Sequence, residues 1–417
     1  MPKTIHQVDP NADTVIVLRN PITNFAPWDQ PALAQKIVKE EYPKTNESSA
    51  ENTTRGSMHS THEQQSTNSL FGNGVETNST PQEDPKDAIE EDCGEPPHEN
   101  DDEDVVFYHV SSRHLILASP KFKAMLSGEK WQEGIRNEAD NLFYIYTAEW
   151  DPSAFLVVMN IMHLRNRLVP RQVTLEMLTK IAVIVDYYDC LEAVETFSPT
   201  WVGNVGGLFF HTTKTPEKYS RDLILWLCST WVFRSWGPFK KATTVAIRSS
   251  DEPIRTLSLP IPHSVIDAID NERSRAIEGL LKEVYKLLSD LHSPNYRCAD
   301  VVGRSYECGA ILLGSLFKGL SFLNISSARP VAPFYLMTVD STYREILFIK
   351  NPQWLKTITV REEQTIRGPY GAESVKIVET DKTEPHVCSL FSKLGAARSL
   401  DPATIEGLDL LKYLSKQ

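Results

Sequence analysis

The chain has 417 residues, of which 41% are hydrophobic and 24% charged. That balance is close to the globular average, excludes a fibrous or wholly disordered chain, and leaves length for two or three domains. The net charge of -12 is local: Gln82 to Asp104 carries twelve carboxylates against Lys86 alone, and with Thr45 to Pro81 also set aside the remainder is +2, a near-neutral body that argues against direct nucleic-acid binding.

In chain order, the twelve residues before Asp13 look irregular and lack the apolar centre of a signal peptide. Asp13 to Leu18 (DTVIVL), closed by Asn20-Pro21, predicts a buried strand. Pro31 to Tyr42 reads as a short amphipathic helix with Leu33, Ile37 and Val38 on one side. From Lys44 to Glu103 almost no β-branched aliphatic residue occurs, so the segment cannot bury enough apolar surface to offset its ordering entropy and predicts a disordered acidic insertion.

Val105 to Val110 predicts a second strand, and Ser111 or Ser112 offers a cap for a helix beginning near Arg113, with helix, turn and helix continuing through Met125. Leu142 to Tyr146 (LFYIY) suits a strand, and Asp151-Pro152 sets an N-cap acid before a first-turn proline for a helix reaching about Leu164. Thr174 caps the next helix, Leu175 to Tyr188, whose apolar centre demands burial. Tyr219 to Phe233 is helical in pattern. Glu272 to Leu291 repeats Ile277, Leu280, Leu281, Val284, Leu287, Leu288 and Leu291 at helical spacing. The expected division is 1–43, 44–104, 105–205 and a mainly helical 206–417.

Six scattered cysteines without a CxxC pair suit a reducing, intracellular compartment, nucleus or cytoplasm left open. No run of 18 apolar residues occurs, so no membrane span is expected.

The stretch Val110 to Leu126 (VSSRHLILASPKFKAML) resembles the strongest signature of BTB/POZ domains, a strand leading into a helix, then Ser-Pro and a second helix carrying a buried aromatic. DTVIVLRNP, the stretch from Asn160 to Cys190 and RDLILWLCSTWVF are similar to segments of fungal BTB/POZ domain-containing proteins. The resemblance implies an α+β fold, a small sheet capped on a helical cluster, with Val110, Leu115, Leu117, Ala118, Phe122 and Met125 as its core signature. The domain is then discontinuous around the insertion, which costs little because closure entropy grows only logarithmically with loop length.

No GxxxxGKS, GxxxxGKT, GxGxxG, HExxH or GxSxG pattern occurs, so no enzyme activity, catalytic residue or cofactor is expected. His114 reads as a first-turn helical histidine rather than half of a catalytic pair. Cys298, Cys308, His386 and Cys388 form the best metal set, since three thiols and an imidazole can close a tetrahedral zinc site. Nine residues separate the first pair and one separates the second, an unusual spacing that strains joint chelation, so the expectation is no metal and buried free thiols.

Arg165, Arg167 and Arg171 make the loop after the Pro152 helix basic, a possible partner-contact loop. The resemblance implies a non-enzymatic protein-interaction scaffold or adaptor with protein partners and a possible homodimer. The alternatives are a transcription or chromatin co-regulator acting through partners, and a substrate adaptor of a cullin-type ubiquitin ligase. Leu164 to Leu168 (LRNRL) departs from the hydrophobic and acidic motif that such adaptors place there, which weakens the last.

Overall fold

The computed structural model describes residues 4–28, 104–128, 131–211, 218–300, 304–322, 325, 328–369, 371 and 373–414. The helix expected at Pro31 to Tyr42 and the disordered insertion expected from Lys44 to Glu103 lie outside the described residues. The described residues belong to one compact unit, spanning 1–28 and 103–417.

Four strands, β1 (Thr4–Gln7), β2 (Thr14–Arg19), β3 (Val105–Val110) and β4 (Phe143–Ala148), form one sheet in the order β1-β3-β2-β4. β2 is central, antiparallel to β3 and parallel to β4, so its VIVL run is buried on both faces. β3 alternates, with Val106, Tyr108 and Val110 inward. The N-terminal segment is not irregular: Thr4–Gln7 pairs in parallel with β3, and its polar side chains are tolerated because it is an exposed edge.

Helices α1 (Ser112–Ala118) and α2 (Pro120–Leu126) follow β3. Neither Ser111 nor Ser112 caps α1 with its side chain. Asp13 does so from the head of β2, accepting the Ser112 backbone N–H at 2.7 Å and its hydroxyl at 2.6 Å, which sets a carboxylate at the positive end of the helix. Val110, Leu115 and Phe122 are fully buried and Ala118 and Met125 half-buried, but Leu117 is 87% exposed. Its expected place in the core fails on helical phase: two residues beyond Leu115 is about 200° around the helix, the opposite face.

Beyond β4 come α3 (Pro152–Met162), α4 (Leu175–Tyr187), α5 (Leu191–Val194), α6 (Ser198–His211), α7 (Arg221–Val232), α8 (Trp236–Ser249) and α9 (His263–His292). Asp151 and Thr174 cap α3 and α4 as expected, accepting from Ala154 N at 2.9 Å and Met177 N at 3.2 Å. A single hydrophobic core runs from Ile16 through Trp201 and Trp226 to Ile269, so no break in packing falls at residue 206.

A second core gathers Ile277 to Leu291 of α9, Cys308, Leu312, Leu316 and Leu320 of α10 (Ser305–Phe322), and Val339 and Ile346 of α11 (Val339–Leu347). α9, about 45 Å long at 1.5 Å per residue, is thus the spine shared by both cores. Between them Arg273 is 1% exposed and donates to the carbonyls of Ser250, Pro333, Phe334 and Met337 at 2.6–2.9 Å.

The C-terminal region is mainly helical but also contains an unexpected ribbon, β5 (Leu355–Arg367) and β6 (Glu373–Pro385), thirteen residues each, antiparallel from Leu355↔Pro385 to Arg367↔Glu373. Gly371, at φ 78°, supplies the left-handed residue of its tip. β6 is exposed along nearly its whole length, and among the described residues no third strand joins the ribbon. The chain then returns to the first core through Leu408 and Leu410. Gly407 lets it pass, since an added Cβ would lie 1.8 Å from the Lys240 carbonyl oxygen.

Candidate functional site

The basic loop does not present one cationic surface. Arg165 donates through Nη1 to the carbonyls of Gln7 and Val8 at 2.7 and 2.9 Å and so fastens the end of β1. The Arg171 guanidinium lies 5.7 Å from the Phe197 ring. Arg167 is exposed in the short turn Asn166–Leu168, beside exposed Leu164 and Leu168.

Leu117, displaced from the core by helical phase, opens onto a cleft of about 1050 Å³ between α1, the start of α2, α5 and the end of α7. Ile116, Pro120 and Leu191 line it with apolar surface beside Leu117. Its rim carries Arg113, Lys123 and Arg234 together with Asp189, Glu192 and Glu195, so neither sign of charge dominates. His114 sits one turn away and its ring lies 5.0 Å from that of His163. His163 is buried, accepts the Ser111 N–H on Nε2 at 2.9 Å and places Nδ1 2.8 Å from the Met159 carbonyl. Nδ1–H is therefore the donor and the ring is neutral. Burial lowers its pKa, aided by His114 and opposed by the Met159 carbonyl and Asp9.

The four candidate metal ligands, by contrast, converge. One donor atom from each of Cys298, Cys308, His386 and Cys388 lies within 4.8 Å of the other three. Cys298 precedes α10, Cys308 sits in its first turns, and His386 and Cys388 follow the last residue of β6. The one-residue spacing does not keep the two side chains apart, because the chain bends at Val387 and turns both toward the cluster. Val387 points outward at 69% exposure, while the His386 side chain is 1% and Cys388 5% exposed.

Cys298 Sγ is 3.4 Å from His386 Nε2 and 3.9 Å from Cys388 Sγ, and Cys308 Sγ contacts the Tyr296 hydroxyl at 3.3 Å. Burial and then the Cys298 and Cys388 sulfurs push the Cys308 thiol up to about 12, against the Tyr296 hydrogen bond. The Asp300 N–H approaches Cys298 Sγ at 3.4 Å, and Asp300 Oδ2 accepts the Val387 N–H at 2.9 Å. The His386 ring stacks on Trp354, the residue before β5, with centroids 3.6 Å apart. Both ends of the ribbon therefore meet at this cluster. The sequence named the same four residues, though Cys298 and His386 lie 88 positions apart.

No protein-family model matches the chain, and no match to it was found among the curated proteins or the solved structures. Among the described residues no helix is long and apolar enough to cross a membrane.

Proposed function

We propose that the chain is a non-enzymatic protein-interaction scaffold or adaptor built on a BTB/POZ-type domain. The observation that carries this reading is the order of elements around the sheet: β2 and β3 antiparallel, the α1–α2 pair, then β4 returning parallel to β2 and followed by α3 and α4. That order supports the reading because the resemblance of Val110 to Leu126 implies a small sheet capped on a helical cluster.

The cleft at Leu117 is where such a protein would take a partner. A large leucine 87% exposed beside apolar surface leaves free energy for association. A rim of three basic and three acidic side chains suits a polypeptide and not a polyanion. The occupant is a separate polypeptide inserting an apolar anchor.

Affinity capture with the full chain, followed by binding of the purified captured protein to wild type and to Leu117→Asp, tests the reading. Expected is a direct complex weakened about tenfold or more by the substitution, the scale of losing one well-packed anchor. Light scattering that shows a strict monomer, together with no captured protein that binds directly, would sink it. A homodimer weakened by Leu117→Asp would keep the interaction role and replace the separate partner with a second copy.

A further inference from the structure

We propose that Cys298, Cys308, His386 and Cys388 hold one structural zinc ion, which clamps the base of the β5–β6 ribbon to the start of α10. This goes beyond the interaction reading and does not depend on it.

The distances fit a shared metal. Zinc bonds of about 2.3 Å to sulfur and 2.0–2.1 Å to nitrogen at tetrahedral angles place sulfur about 3.8 Å from sulfur and about 3.6 Å from nitrogen. The separations found are 3.9 Å between Cys298 and Cys388 and 3.4 Å between Cys298 and His386. A disulfide would bring sulfurs to about 2.05 Å, so these two are not bonded to each other. Three thiolates and one imidazole are the soft, four-donor set that selects zinc.

The surroundings supply what a thiolate site needs. The Tyr296 hydroxyl and the Asp300 N–H contact sulfurs, which steadies thiolate charge. Cys298 lines a separate cleft of about 870 Å³, a route for the ion to enter. One adjustment is required: the Cys388 N–H points at His386 Nδ1 at 3.1 Å, and metal binding at Nε2 puts the ring proton on Nδ1, so that contact must open.

A catalytic cysteine–histidine pair is the competing chemistry, and the geometry opposes it. The carboxylate of Asp300 lies 3.9 Å from Nε2, the same nitrogen that faces Cys298, and so cannot orient the ring from its far side. The His386 side chain is 1% exposed, closing it to substrate. Four protein donors likewise leave no open position for a catalytic metal, so the ion is structural.

The ribbon gives the clamp a task. A lone two-stranded hairpin is marginal in water, yet this one runs thirteen residues per strand with β6 exposed. A metal joining Cys298 and Cys308 to His386 and Cys388 would tie it down.

The test uses the full chain, purified under reducing conditions without metal-affinity chromatography. Elemental analysis should find about one zinc per chain, and replacement by Co²⁺ should give the intense visible bands of a tetrahedral ion with a thiolate charge-transfer band. Cys308→Ser and Cys388→Ser should lose the metal, while Cys190→Ser and Cys228→Ser retain it. Should the first two fail to fold, the wild-type cobalt spectrum decides alone. Less than about half an equivalent of zinc after incubation with zinc sulfate, or a pale octahedral cobalt spectrum, would overturn the proposal. So would a Cys298–Cys388 disulfide in zinc-free protein isolated without reductant.

Discussion

The two cores strung along α9 are held by different means. The first encloses a sheet and most of the helices, buries Trp201 and Trp226 completely, and closes its helix ends with side chains such as Asp13, Ser119, Asp151 and Thr174. The second is smaller and bears a long ribbon that lies largely in solvent. Its polar residues cap helices too, Thr338 and Ser341 reciprocally at the start of α11, but others gather at one point, where three thiols and an imidazole meet under Trp354. Where apolar area is ample, packing and caps suffice. Where it is scarce, small folds turn to cross-links, and a metal is one.

That contrast can be broken most forcefully by metal removal. Stripping zinc with a chelator is expected to cost the second core on the order of 5 kcal/mol or more, with hydrogen exchange accelerating across Leu355–Pro385 and α10. The first core should keep its protection, because none of its packing uses the four ligands. Equal loss in both cores would show that they unfold as one and erase the distinction.

Next in size is Arg273→Ala. Four backbone carbonyls would lose their donor inside the junction, at a cost of about 3–5 kcal/mol. Since Arg273 lies between the cores, chemical denaturation should show both destabilised. A third comparison sits on a single helix: Leu115→Ala should cost about 2–4 kcal/mol, while Leu117→Ala, 87% exposed, should stay within about 0.5 kcal/mol. The same pair separates stability from binding, because only the Leu117 change should also weaken a partner.

Legibility in the sequence follows the same division. The strands expected at Asp13 to Leu18 and Val105 to Val110 and the caps Asp151 and Thr174 were readable because their signals are local. The cap of α1 was not, because Asp13 lies 99 residues from Ser112 and two adjacent serines offered a nearer answer. β1 escaped notice because TIHQ carries almost no apolar pattern and is held by the backbone of β3. The ribbon escaped for a similar reason: it carries exposed ion pairs across its strands, such as Arg361 with Glu379 and Arg367 with Glu373, and among the described residues it offers no buried face to recognise. The four ligands were visible as residue types, but their meeting depends on a bend at Val387 and on a ribbon that returns the chain to its starting point.

The smallest expected effect lies in the first core and concerns pH. His163 is neutral and buried, its Nε2 accepting from Ser111 N. Burial sets its folded pKa below the ordinary value of about 6.5. For a base with a lowered folded pKa the stabilising contribution is complete above the unfolded value and is lost as pH falls through the folded one. Stability should therefore be flat above about pH 7 and decline below 6.5, by on the order of 1 kcal/mol, the scale of the one hydrogen bond that protonation would turn against itself. His163→Gln removes the titration. Acid also weakens thiolate–zinc binding, but it does so equally in wild type and variant. The difference between their denaturation midpoints, followed from neutral pH into the acid range, thus isolates His163. A difference that does not change with pH would mean that folding leaves the His163 pKa unshifted, and would overturn the reading.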